Sequence, residues 1–113
     1  MENSDLQAAD AQLSAYRCLL DNARAMLKAA RDERWDDLTA LDAERQKSFA
    51  LVVESDLVST QPANVEARSE LIQGILECDE QTRSLVRAWQ DEMADVLDVM
   101  GNRRKLEDAY RTP

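Results

Sequence analysis

The side chains with chemistry to offer are 23 carboxylates, 14 cationic groups and two thiols, and histidine is absent from all 113 residues. Without imidazole there is no Glu-x-x-His metal pattern, no zinc-binding helix and no histidine-based triad. No glycine-rich loop is present to cradle a phosphate. The acid pairs Asp36/Asp37, Asp79/Glu80 and Asp91/Glu92 are adjacent in sequence. On a helix such neighbours point in different directions, so they read as solvated surface rather than as a shared acid–base site. Asp79 with Arg83, and Arg87 with Asp91, are spaced as i,i+4 pairs worth a few tenths of a kcal/mol each. Small all-helical mutases hold a dianion between helices, but that requires several converging cations. Here spacing turns only Arg45 inward. The sequence therefore offers no catalytic residue, no metal site and no cofactor, and an enzyme is not expected.

Cys18 and Cys78 fall on different helices with no Cys-x-x-Cys spacing. They read as two reduced, partly buried small hydrophobes, with an inter-helix disulfide as the lesser alternative. The net charge of −9 disfavours nucleic acid, whose phosphates require a concentrated basic surface, and equally an anionic membrane. No window reaches the roughly 18 apolar residues of a membrane span, and the acidic start is no signal peptide. These features predict a cytoplasmic protein.

Two Gly, two Pro and one Phe among abundant Ala, Leu, Glu, Asp, Arg and Gln make a helix-forming composition. The organising stretch is Asn64 to Met100, read as one helix of about 55 Å at 1.5 Å per residue. One apolar row runs Leu71, Ile75, Cys78, Thr82, Leu85, Trp89, Met93, Val96, Met100. A second row beside it runs Ile72, Leu76, Asp79, Arg83, Val86, Gln90, Met93, Leu97 and is charged in its middle. Two such rows make a face wider than one partner helix covers.

Ahead of it, Ser4 to Arg31 carries Leu6, Leu13, Leu20 and Leu27 at intervals of seven, each followed after three positions by Ala9, Tyr16, Ala23 or Ala30. This heptad seam of leucines and mostly small residues suits close approach inside a bundle. A turn at 32–38 follows, with Trp35 packing across the hairpin end. A second helix extends from about Asp36 to Val53, its apolar row interrupted by Arg45, and Glu54 to Ala63 reads as the linker. Asn64 is placed to cap the third helix. Gly101-Asn102 is the best stop signal in the chain. After it, Arg103 to Arg111 reads as a short fourth helix with four basic and two acidic side chains, a net charge of +2. The predicted fold is all-α: an antiparallel bundle of three main helices, a hairpin plus one long helix, with a short C-terminal fourth helix. Residues 1–101 form the bundle and 102–113 a basic regulatory tail.

The stretch Ala29-Ala30-x-x-x-x-Trp35-Asp36-x-Leu38 resembles the first hairpin of small flagellar export chaperones. From Asp79-Glu80-Gln81 to Lys105-Leu106-x-x-Ala109-Tyr110 the chain is similar to the FliT family in particular. The likeness covers most of the chain in the family's order of hairpin, linker, long helix and short basic tail. The resemblance implies a type III export chaperone that binds the filament-cap protein in the cytoplasm and delivers it to the export ATPase and gate. Family members in some bacteria also restrain the flagellar master transcription regulator, and the resemblance leaves that second role open for this chain. The alternative is a structural helical adaptor or self-associating bundle without an export role, which would use its apolar seam for homo-oligomers, a homodimer among them.

The third helix is expected to outrun the second by about 17 residues, or roughly 25 Å, leaving apolar surface uncovered. Ile72, Ile75, Leu76 and Val86 are the candidate partner-binding residues, with Asp79 and Arg83 setting orientation by charge. In the tail, Arg103, Arg104 and Lys105 face an acidic helix and Leu106 and Tyr110 dock as a client helix would. The tail then acts as a built-in competitor for the same groove.

Overall fold

The computed structural model describes the backbone of residues 2–58 and 65–111 and the side chains of residues 10–55 and 65–111. The described residues form three helices and no strand: α1 at Glu2–Arg31, α2 at Trp35–Val58 and α3 at Val65–Arg111. The linker expected from Glu54 gives way to helix as far as Val58. Its remainder, and the expected cap at Asn64, lie outside the described residues. The chain divides into two compact units, residues 1–82 and residues 83–113.

The turn between α1 and α2 follows from backbone chemistry. Glu33 sits at φ 56°, in the left-handed region. Arg34 N donates to Ala29 O at 2.8 Å and Glu33 N to Ala30 O at 3.2 Å, the two bonds that satisfy the last carbonyls of a helix. Leu38 N then donates to Arg34 O at 3.0 Å, which opens α2. Asp36 and Asp37 lie in its first turn, where carboxylates suit the positive end of the helix dipole. Arg34 reaches Asp37 at 3.1 Å and Asp32 at 3.5 Å. All three side chains are about half exposed, so these contacts add little stability. Trp35 is half-buried at this end of the hairpin.

In the first unit the core is centred on α1, and this corrects the expectation that the long third helix organises the chain. Among the described residues, nine of the eleven buried hydrophobics belong to α1, from Ala15 to Ala30, while α2 contributes Val52 and α3 Ile75. The backbones of α1 and α2 pack closely along their length and run antiparallel: Asn22 Nδ2 donates to Leu41 O at 3.0 Å. Ala15, Ala23, Ala29 and Ala30 are nearly or fully buried, because small side chains let neighbours come close. On α3, Ile75 joins the cluster of Tyr16, Leu19, Leu20 and Val52, with Leu71, Ile72 and Cys78 packed against it. Arg31 Nη2 donates to Gln81 Oε1 at 2.8 Å, and Gly74 lies beside Leu20. The start of α3 therefore runs parallel to α1. Each fully buried Leu, Ile or Val stabilises this unit by about 1.5–3 kcal/mol. Cys78 is half-buried against the core, as expected, but Cys18 is exposed, and both are free thiols.

The short fourth helix does not form as a separate element. α3 continues through Gly101-Asn102 to Arg111, and Gly101 has no positive φ. One glycine costs about 1 kcal/mol in a helix interior, too little to stop a helix flanked by good formers. Arg103 and Glu107 add an i,i+4 pair at 3.5 Å. From Asp91 to Arg111 every residue is exposed.

Three substitutions test this reading. Glu33→Gly should raise the stability of the chain by about 1 kcal/mol, because it removes both the left-handed strain and a carboxylate at a helix C-terminus. A thermal midpoint unchanged or lower would contradict it. A Cβ at Gly101 meets nothing within 4 Å, whereas one at Gly74 would stand 3.2 Å from the Leu20 Cδ1 atom. Gly101→Ala should therefore slow amide hydrogen exchange around residue 101 by up to about fivefold. Gly74→Ala should give no such gain.

Candidate functional site

The site grows out of how α2 and α3 flank the buried α1. Each lends the core one fully buried hydrophobic, so the side chains on their flanks face each other across a gap. Tyr16 and Leu19 of α1 form its floor. Arg45, Phe49, Val52 and Val53 line it from α2, and Ile72, Ile75, Leu76 and Asp79 line it from α3, around a cavity of about 270 Å³. The residues on each helix follow the helical spacing, which puts them on one stripe. Phe49 is 56% exposed, Val53 45% and Leu76 61%. Three large apolar side chains thus stand open on the two walls, above a buried floor.

One end of the groove is charged. Arg45 donates from Nη1 to Asp79 Oδ1 and from Nη2 to Asp79 Oδ2, a two-pronged pair between α2 and α3. The side chains are only 26% and 15% exposed. The hydrogen bond to Asp79 raises the Arg45 pKa above its ordinary value, burial opposes this, and Asp42 adds a second favourable charge. The charged guanidinium is thus the favoured form in the groove. Arg45 interrupts the apolar row of α2 because it spans to α3 and meets an acid there.

Sequence reasoning placed Ile72, Ile75, Leu76 and Asp79 at a binding face, and the structure brings these four together in the groove. Ile75 serves the core, being 5% exposed. Arg83, exposed, and Val86, half-buried, belong to the second unit and are not among the groove-lining residues. Both Asp79 oxygens engage Arg45. Arg103, Arg104, Lys105, Leu106 and Tyr110 are all exposed on the end of α3. Reading the rows of the third helix alone missed Phe49, Val53 and Arg45. The signal for Arg45 was present, since a cation inside an apolar row requires an anion on a neighbouring element.

Among the described residues no cluster of Cys, Asp or Glu is arranged to hold a metal ion, and no helix is long and apolar enough to cross a membrane. The groove is open and apolar, and closed at one end by an ion pair. What it can do is receive an apolar side-chain row.

Comparison with known proteins gives a consistent picture. The sequence profile of the family described as "Flagellar protein FliT" matches residues 13–112. The flagellar protein FliT of Photorhabdus laumondii is 25% identical over 99 residues, covering 87% of this chain and 79% of that protein. No solved structure matches this one. With nearly the whole chain matched, from Leu13 in α1 to the end of α3, this protein belongs to the FliT family of flagellar proteins.

Proposed function

We propose that this protein is a cytoplasmic type III flagellar export chaperone whose groove between α2 and α3 holds a helical segment of the filament-cap protein. The observation that carries this reading is the exposure of Phe49, Val53 and Leu76 around one concavity in a folded unit. Scattered apolar residues on a surface are ordinary, but several converging on a groove mark a binding site. An amphipathic helix supplies the complementary row at i, i+3, i+4 and i+7. Delivery to the export ATPase and gate, and restraint of the flagellar master transcription regulator, belong to the same proposal through membership of the family.

A second reading, self-association without an export role, is favoured by a different observation. Met93, Val96, Leu97 and Met100 are 39%, 47%, 65% and 58% exposed on the second unit. The two readings separate by mutation. Leu76→Glu or Phe49→Asp should abolish binding of the C-terminal segment of the cap protein, measured by fluorescence anisotropy, while helicity is kept. Leu97→Glu, equally exposed but outside the groove, should leave that binding unchanged and reduce any dimer seen by sedimentation. Binding that survives both groove variants would place the client elsewhere.

The charged end should behave as a unit. Asp79→Asn alone leaves the Arg45 guanidinium partly buried without its anion and should cost about 2–3 kcal/mol. The paired change Arg45→Met with Asp79→Leu should recover most of that loss in a denaturant titration. A double variant no more stable than the worse single one would show that the pair does not act as a unit.

A further inference from the structure

The 23 acidic and 14 basic side chains are unevenly divided along the chain. Residues 1–82 hold 17 acids and eight bases, a net charge of −9, whereas residues 83–113 hold six of each and are neutral. The whole excess of negative charge thus lies on the unit that carries the groove. At the charged end both Asp79 oxygens are taken up by Arg45. Asp42 lies three residues before Arg45 on α2, about one helical turn away, and is exposed. Its carboxylate adds to the negative surround of that end.

From this, and resting on the groove reading above, we infer that the groove selects its client helix by charge as well as by apolar fit. The preferred occupant is an amphipathic helix with Lys or Arg flanking its apolar row, and the cation nearest the charged end meets Asp42. The apolar walls hold the helix by burial, which is indifferent to charge. The acidic unit around them attracts a basic helix from a distance and disfavours an acidic one of equal hydrophobicity. Discrimination between otherwise similar helices is then electrostatic and weakens as salt screens it.

The test uses the full chain and two labelled synthetic helices with the same apolar row, one flanked by Lys and the other by Glu. Fluorescence anisotropy should show the Lys helix binding roughly tenfold tighter at low salt, with the gap narrowing as ionic strength rises. Asp42→Lys, at an exposed position, should narrow the gap by about threefold or more without altering helicity. Leu76→Glu should remove binding of both helices. Equal affinities, or a gap that neither salt nor Asp42→Lys alters, would overturn charge selection while leaving the groove intact, provided Leu76→Glu still abolishes binding. If neither helix binds, or Leu76→Glu has no effect, the groove reading falls and this inference falls with it.

Discussion

Everything in the first unit depends on α1 being buried on two sides at once. A helix achieves that only if small side chains let its neighbours come close while large ones fill the remaining space. Ala15, Ala23, Ala29 and Ala30 do the first and Tyr16, Leu19, Leu20 and Leu27 the second, all at 7% exposure or less. Bulk added at the alanines would push the neighbouring helices away and cost the packing of the whole seam. The same two-sided burial sets limits on polar groups. Asn22, 9% exposed, is tolerated there because it donates to the Leu41 carbonyl, a directional bond that also fixes the register of the hairpin.

The groove is a consequence of that arrangement. Because α1 saturates the core, α2 and α3 each give it one buried hydrophobic among the described residues, Val52 and Ile75. Their remaining apolar side chains are left on the walls between them. Folding alone offers no reason to keep Phe49, Val53 and Leu76 open to water, where burying each would contribute about 1.5–3 kcal/mol. The Arg45–Asp79 pair has a double role at the end of this space. It ties α2 to α3, and it keeps that end polar, so that the walls do not simply close on one another as an apolar seam would.

The helices were legible in the sequence because heptad spacing, turn residues and the near absence of Gly and Pro all pointed one way. The role of each helix was less so. Periodicity reports how many apolar residues share a face, not which face is covered, and the long double row of α3 suggested a centre that α1 in fact occupies. The alanines that make α1 central carry weak hydrophobic signal. Four of the six expected binding residues do line the groove, since the Ile72–Asp79 stretch has a clear spacing on α3. Their counterparts on α2 were hidden, because matching two helices requires the register of the hairpin, which no single-helix pattern contains. At Gly101-Asn102 a local stop signal lost to the helix formers on either side.

That last outcome has a physical explanation of wider use. The costly step in making a helix is its first turn, and later residues add one hydrogen bond for each residue fixed. In α3 the residues up to Thr82 are nucleated by packing, with Ile75 and Thr82 buried. Extension from there needs only residues of adequate propensity. Arg, Leu, Ala, Met, Glu and Lys supply it, the valines at 86, 96 and 99 weaken it slightly, and Gly101 is the weakest position. From Asp91 to Arg111 every residue is exposed, so the helix there is held by propagation and by local pairs such as Arg103–Glu107, each worth a few tenths of a kcal/mol. Stability must therefore fall along α3 from the packed segment toward Arg111. The buried half of the helix is committed to the core and the groove wall.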